Sequence, residues 1–168
     1  MGATVRRFLA GAGLDPAACR LVPLSGGITN RNYRVDCGER SSVLRVGGAR
    51  VGLLGIDRAR EAACARTAAR LGLAPAVEAS APRDRLLLTR FVKGSMLTPR
   101  RAGRPAALRR IASALRRVHE LPRFPGRFSA FDTVRRYDRL ARLRGVRIPL
   151  GGKRALSLMR RIEAAAAP

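Results

Sequence analysis

The apolar residues change their spacing along this chain, and that change limits the possible folds more than any other feature. As far as residue 91 they form short runs or alternate with polar residues, broken by Gly, Pro and Asp. Such a pattern is typical of short strands joined by tight turns. Five segments fit it: 21–24, 33–35, 42–46, 76–79 and 86–91. The pattern predicts a five-stranded antiparallel sheet.

Two helical segments accompany these strands. Residues 3–12 are amphipathic and end before Gly13, and residues 57–71 are rich in Ala and Arg without Gly or Pro. Asp57 stands at a favourable N-cap position for the second helix, and Gly72 at a favourable C-terminal one. The predicted fold class is α+β, with one helix inserted after the third strand of the sheet.

The remainder of the chain has helical spacing. Four apolar residues recur at helical intervals: Leu108, Ile111, Leu115 and Val118. Most neighbouring arginines fall on the opposite side, which predicts an amphipathic helix with a solvated cationic face. Pro122 should end this helix, and two more are expected at 132–143 and 153–167. We therefore expect a sheet-based part, 1–93, and a helical part, 94–168.

The net charge of +24 would favour a nucleic-acid partner if it stood alone. Only Lys93 and Lys153 are lysines, so nearly all of the charge is Arg, and the excess of Arg and Ala resembles a GC-rich coding bias. The basic residues are scattered, and few aromatic side chains are available to stack on bases. Nucleic-acid binding remains an alternative but is the less favoured one.

Cysteine and histidine are too sparse for a metal site. Cys19, Cys37 and Cys64 are odd in number and lack a C-x-x-C spacing, so reduced structural thiols are expected rather than a zinc site. His119 is the only histidine, and a packing or capping role is expected for it. No apolar run approaches the roughly 20 residues that cross a bilayer, and the N-terminus lacks the apolar stretch of a signal peptide. We expect a cytoplasmic protein without a membrane partner.

One set of residues suggests phosphate binding. Residues 25–30, Ser-Gly-Gly-Ile-Thr-Asn, form a turn between two predicted strands, with Arg45 in the third strand and Glu61 in the helix that follows. Glycines let backbone N–H groups approach phosphate oxygens, and Thr29 and Asn30 add short hydrogen-bonding side chains. A cation at Arg45 could neutralise phosphate charge, and Glu61 could hold that cation by an ion pair.

Each of these features alone has an ordinary structural explanation. Ser-Gly-Gly turns close many hairpins, Arg45 could point outward from a half-exposed strand, and Glu61 could be a solvated helix position. Their order along the chain makes the phosphate site the better interpretation.

At these residues the chain resembles the N-terminal lobe of bacterial choline/ethanolamine kinases, in the aminoglycoside-phosphotransferase group of protein-kinase-like folds. The segments that carry the resemblance are 24–35, 43–46, 56–58 with Glu61, 73–75, 88–94 and 115–119. It extends over residues 21–149. The fold that it implies is a kinase-like N-lobe followed by the first helices of an incomplete C-lobe.

The resemblance also implies a nucleotide site. The residues implied are Ser25, Gly26, Gly27, Thr29 and Asn30 over the ATP phosphates, Arg45 with Glu61 as its partner, and the hinge Thr89, Arg90 and Phe91. The hinge would meet adenine through backbone groups. Arg45 stands where protein kinases usually have Lys, and its planar fork can bind a phosphate and a carboxylate together.

A kinase-like catalytic loop is not expected in this chain. Such a loop needs an Asp to orient the acceptor hydroxyl and an Asn for Mg²⁺, and the only asparagines are Asn30 and Asn32. No catalytic residue and no metal ligand is therefore assigned, and the ligands of Mg²⁺ would lie outside the chain. The resemblance implies an ATP-dependent phosphotransferase for a small amino-alcohol or related hydroxyl, in a truncated form with little or no activity. The alternatives are a nucleic-acid-binding protein and a nucleotide-binding regulator that completes a site on a partner.

Overall fold

The computed structural model describes residues 1–25, 29–49, 53, 55–120, 126, 128–148 and 151–166. The elements in chain order are α1 Ala3–Gly11, β1 Cys19–Leu24, β2 Asn30–Cys37, β3 Arg40–Gly47, α2 Arg58–Arg70, β4 Val77–Ala81, β5 Leu86–Arg90, α3 Pro99–Ala102, α4 Pro105–His119, α5 Ala130–Leu143 and α6 Gly152–Ala166. All five predicted strands and the predicted inserted helix are present. The α+β fold class is confirmed.

The five strands form one antiparallel sheet with the order β1-β2-β3-β5-β4. Because side chains alternate across a strand, each residue's face follows from its register. Val35, Leu44 and Leu88 point to one face, where Leu9 of α1 packs on them and all four are almost fully buried. This core leaves the opposite face of β2, β3 and β5 available for other contacts.

Helix α2 begins and ends as its sequence predicts. The Asp57 side chain accepts hydrogen bonds from the N–H groups of Ala59 at 2.9 Å and Arg60 at 3.0 Å, so it is the N-cap. Gly72 follows the last turn with a φ of +67°, a left-handed conformation that glycine adopts without steric cost. The helix is therefore fixed at both ends between β3 and β4.

A β-bulge in β4 was not expected from the sequence. The pairing of β4 with β5 shifts between Val77 and Ala79, which leaves Glu78 as the extra residue. Its carboxylate accepts a 2.6 Å hydrogen bond from the hydroxyl of the buried Ser42 and forms a 3.4 Å ion pair with Arg40. The bulge thus supplies a polar partner for Ser42.

The cysteines correct one expectation. Cys19 and Cys37 are opposite each other in the pairing of β1 with β2, and they form a disulfide instead of remaining reduced. Their 18-residue separation gives no local motif, so only the strand register brings them together. Cys64 lies half-buried in α2 and is not part of this disulfide.

Two compact units make up the chain: Met1–Val51 with Asp57–Pro125, and Gly52–Ile56 with Gly126–Pro168. The first unit contains the sheet and extends through α4. The predicted division at residue 93 lies within this unit, and it stays a prediction. His119 is the last residue of α4 and is exposed, so it is not a packing residue. Pro122, the predicted stop, lies outside the described residues.

The second unit contains α5 and α6. Ser129 caps α5 by accepting a 3.1 Å hydrogen bond from the N–H of Asp132. Arg135 of α5 pairs with both Asp132 and Glu163, which joins the two helices. None of the helices in the described residues is long and apolar enough to cross a membrane.

Candidate nucleotide site

Arg45 lies on the face of the sheet opposite the α1 core. Its neighbours across the strands are Asn32 on β2 and Leu87 on β5. These side chains line a pocket of about 310 Å³, together with Leu24, Ser25, Val43 and Thr89. Three of the predicted site residues, Ser25, Arg45 and Thr89, therefore line one pocket.

The predicted ion pair between Arg45 and Glu61 is present. Arg45 Nη1 lies 2.9 Å from Glu61 Oε1, and the two side chains are 26% and 29% exposed. This partial burial reduces screening by water, so the pair holds the guanidinium in place more firmly than a surface pair would. Glu61 is the fourth residue of α2, so the inserted helix brings the carboxylate to the sheet.

The charge around Arg45 is not balanced by Glu61 alone. Burial lowers the pKa of Arg45 and the positive charge of Arg58 lowers it further, while Glu61 opposes both effects. Arg45 remains protonated, because even a lowered arginine pKa stays far above neutral pH. Two guanidinium groups beside one carboxylate give the site a surplus positive charge, which favours an anionic ligand.

The turn that precedes β2 is only partly described. Ser25 lies at its start, and Gly26 and Gly27 lie outside the described residues. At its end, the Thr29 carbonyl accepts a 3.0 Å hydrogen bond from the N–H of Gly48. Asn30 Oδ1 accepts a 2.8 Å hydrogen bond from Arg58 Nη2. The end of the turn is thus tied both to the end of β3 and to α2.

The predicted hinge continues from β5. The N–H of Arg90 donates to the carbonyl of Ala76 at 2.9 Å, and the N–H of Phe91 donates to the carbonyl of Ser41 at 3.1 Å. Arg34 lies over the Phe91 ring, 4.5 Å from its centroid. Because both N–H groups are already used, backbone recognition of a base by Arg90 or Phe91 would have to use their carbonyl oxygens.

Residues 20–167 match the family model described as the phosphotransferase enzyme family. The chain belongs to this family. The match takes in the sheet from Arg20 onwards and every helix except α1, so it includes Arg45, Glu61 and the turn before β2. No protein with a curated description matches the sequence.

Three solved structures that resemble this chain are of choline or ethanolamine kinases or of their family. A choline/ethanolamine kinase family protein from Mesorhizobium loti is 28% identical, with a TM-score of 0.67 over 98% of this chain and 55% of that protein. An ethanolamine kinase from Plasmodium vivax is 17% identical, with a TM-score of 0.70 over 87% of this chain and 44% of that one. A choline kinase from Cryptosporidium parvum is 16% identical, with a TM-score of 0.66 over 95% and 48%. The last two show the fold alone, and the chain spans about half the length of all three.

One residue of the candidate site was not predicted from the sequence. Arg58, the first residue of α2, donates to Glu61 Oε2 at 2.7 Å and to Asn30 at 2.8 Å, and its side chain is only 9% exposed. Its three-residue spacing from Glu61 signals a helical ion pair. Nothing in the sequence shows that the same guanidinium also reaches Asn30, 28 residues earlier.

Proposed function

We propose that this chain is the nucleotide-binding part of an ATP-dependent phosphotransferase of the choline/ethanolamine kinase type, which acts on the hydroxyl of a small amino-alcohol. The observation that carries the proposal is Arg45, which lines a pocket on the open face of the sheet and is ion-paired to Glu61. The similarity to choline and ethanolamine kinases supports the substrate class. The binding residues proposed are Ser25, Gly26, Gly27, Thr29, Asn30, Arg45, Glu61, Thr89, Arg90 and Phe91.

The surplus positive charge suits Arg45 to stabilise the negative charge of a phosphoryl group. A transferred phosphoryl group carries charge on several oxygens, and catalysis of its transfer consists mainly of positioning and charge stabilisation. Arg45 can direct N–H groups not used by Glu61 towards phosphate oxygens, because the guanidinium has five donors in a fixed plane. Thr89 and Leu87 would lie beside the sugar or base in the same pocket.

Among the residues that the structure describes, none form a group that fits the Mg²⁺ ions used in phosphoryl transfer. Within the part of the chain that the structure describes, no three His, Cys, Asp or Glu side chains are grouped so that they could hold a metal. Both asparagines, Asn30 and Asn32, belong to β2. We therefore assign contacts with the nucleotide, and not with Mg²⁺, to this chain and derive no transfer step from its residues.

Calorimetric titration with Mg-ATP tests the proposal. Arg45→Ala should weaken binding by about 1.5–3 kcal/mol, the range for a charge-assisted hydrogen bond. Glu61→Gln should weaken it less, because the cation is loosened but not removed. Arg90→Ala is the matched control, because the hinge is proposed to contact adenine through backbone groups and the Arg90 side chain is exposed. Equal affinity of Arg45→Ala and the parent chain would refute the phosphate site.

A coupled assay with choline or ethanolamine as the acceptor tests whether this chain alone can transfer a phosphoryl group. We expect no phosphotransfer above background, because losing groups that orient acceptor and metal costs several orders of magnitude in rate. Turnover of about 1 s⁻¹ would be ordinary enzyme activity and would contradict this limit.

A nucleic-acid-binding function is the second candidate, because Arg109, Arg110 and Arg116 are exposed on α4 in a chain of net charge +24. Binding through phosphate contacts should fall linearly in a plot of log affinity against log salt concentration. Mg-ATP binding in the Arg45 pocket should instead depend on the base, so inorganic triphosphate should compete poorly. Equal competition by triphosphate, with a steep dependence on salt, would favour the nucleic-acid function.

A further inference from the structure

Arg58 is a largely covered cation that bonds both to Glu61, three residues later on the same helix, and to Asn30, 28 residues earlier. Its Nη1 donates to Glu61 Oε2 at 2.7 Å, and its Nη2 donates to Asn30 Oδ1 at 2.8 Å. With 9% of its side chain exposed, it is far less accessible than Arg45. Arg58 is therefore poorly placed to contact a ligand directly.

Glu61 divides its two oxygens between the two arginines. Oε1 accepts from Arg45 at 2.9 Å and Oε2 accepts from Arg58 at 2.7 Å. Because a carboxylate is planar, fixing one oxygen restricts where the other can lie. The position of Glu61 Oε1, and with it the position of the Arg45 guanidinium, depends on Arg58.

The same guanidinium restrains the end of the turn. Asn30 begins β2, directly after Thr29, whose carbonyl is bonded to the N–H of Gly48. Arg58 thus joins the turn, through Asn30, to the cation on β3, through Glu61. The two halves of the proposed phosphate site come from separate segments, and Arg58 is the side chain that holds both.

We propose that Arg58 is a positioning residue that couples the start of β2, at Thr29 and Asn30, to Arg45. Its effect on ligand affinity rests on the proposed function, whereas its effect on the position of Thr29 and Asn30 does not. A lysine could not replace it fully, because a single ammonium lacks the planar fork that reaches two acceptors on different segments.

Mg-ATP affinity tests the coupling in four variants: Arg58→Met, Arg58→Lys, Asn30→Ala and the combined Asn30→Ala/Arg58→Met. Arg58→Met should weaken binding about tenfold, and Arg58→Lys should restore part of the loss. The combined variant should lose less affinity than the product of the two single losses, because both changes break the same link. Arg66→Met is the control, since Arg66 lies on α2 and donates only to Ser80 Oγ in the contacts described.

A merely structural role would give a different pattern. If Arg58 only stabilised the fold, Arg58→Met would lower the unfolding midpoint. The affinity losses of Asn30→Ala and Arg58→Met would then be independent, and they would multiply in the combined variant. Multiplying losses, or an unchanged affinity in Arg58→Met while Arg45→Ala binds weakly, would overturn the coupling and leave the proposed function standing.

Amide hydrogen exchange tests the same link without a ligand. In Arg58→Met the N–H of Gly48, which donates to Thr29, should exchange about tenfold faster, while the core amide of Leu88 should be unchanged. If the parent chain does not bind Mg-ATP, the proposed function fails, and hydrogen exchange alone then tests whether Arg58 holds the start of β2 in place. Unchanged exchange at Gly48 would overturn the inference.

Discussion

Gly47 lies against the Arg58 guanidinium at the end of β3. A Cβ atom at this position would come within 2.8 Å of Arg58 Nη2 and 3.0 Å of the Arg85 Cβ. The site therefore needs a residue without a side chain, for reasons of space and not of backbone conformation.

Gly47→Ala should consequently act like a mild loss of Arg58. We expect the free energy of unfolding to fall by about 1–3 kcal/mol, the usual cost of overpacking, and Mg-ATP affinity to fall as well. Gly94→Ala is the control, because nothing lies within 4 Å of a Cβ built there. Equal stability and affinity in both variants would show that Arg58 can move aside freely.

The carboxylates of Asp57 and Asp36 make the stability of the fold depend on pH. The hydrogen bond from the N–H of Arg60 lowers the pKa of Asp57. The hydroxyl of Ser41 and the guanidinium of Arg34 lower the pKa of Asp36. A carboxyl with a lowered pKa stabilises the fold above its unfolded pKa, and this contribution is lost as pH falls through the folded value.

We therefore expect the thermal midpoint of the parent chain to fall as the pH drops below about 4, the ordinary pKa of an aspartate. Asp57→Asn and Asp36→Asn should each reduce the size of that fall, because an amide cannot be protonated in this range. Thermal unfolding followed by circular dichroism at several pH values measures it. An identical fall in all three proteins would assign the acid sensitivity to other groups.

At the scale of elements, the pairing of β1 with β2 determines the disulfide. Cys19 and Cys37 close a loop whose ends are 18 residues apart, and such a cross-link stabilises a fold by about 3 kcal/mol, largely by restricting the unfolded chain. The Cys19→Ser/Cys37→Ser variant should lose this amount. A reductant should lower the unfolding midpoint of the parent chain and leave that of the variant unchanged. An unfolding midpoint of the parent chain that does not change with reductant would contradict the disulfide.

The sequence was sufficient for most elements because their signals are local. Alternation predicted the strands, and Asp57 and Gly72 marked the ends of α2 correctly. The short helix α3, Pro99–Ala102, was missed, because four residues carry no periodicity. The bulge at Glu78 was missed because the hydrogen-bond partner of Glu78, the buried Ser42 hydroxyl, is 36 residues away.

The candidate site shows the same division between local and distant information. Arg45 and Glu61 could be predicted as partners because the order of strand, helix and charge suggested it. The link from Arg58 to Asn30 could not, because it depends on the three-dimensional placement of α2 against the start of β2. The Cys19–Cys37 disulfide escaped prediction for an equivalent reason, since it required the register of two strands.

For the whole molecule, the apolar side of α4 governs solution behaviour. Leu108 and Leu115 are each 52% exposed, despite the net charge of +24. Exposed apolar stripes of this kind favour association. We expect the apparent mass in light scattering to rise with protein concentration.

Leu108→Glu/Leu115→Glu should reduce this association. Arg109→Gln/Arg116→Gln is the control, because it lowers the net charge by the same amount on the same helix without changing the apolar stripe. A sharp monomer at every concentration in the parent chain would show that α4 is not an association surface. Equal effects of the two double variants would assign the association to charge.

The strand order leaves β1 and β4 as the two edges of the described sheet, each with backbone groups open to a further strand. Both edges carry features that discourage such an addition. Pro23 in β1 has no N–H to donate, and the bulge at Glu78 bends β4 and interrupts its row of backbone groups. Copies of this chain should therefore associate through their helices and not by adding strands, because neither edge of the described sheet offers a regular template on which fibrils could grow.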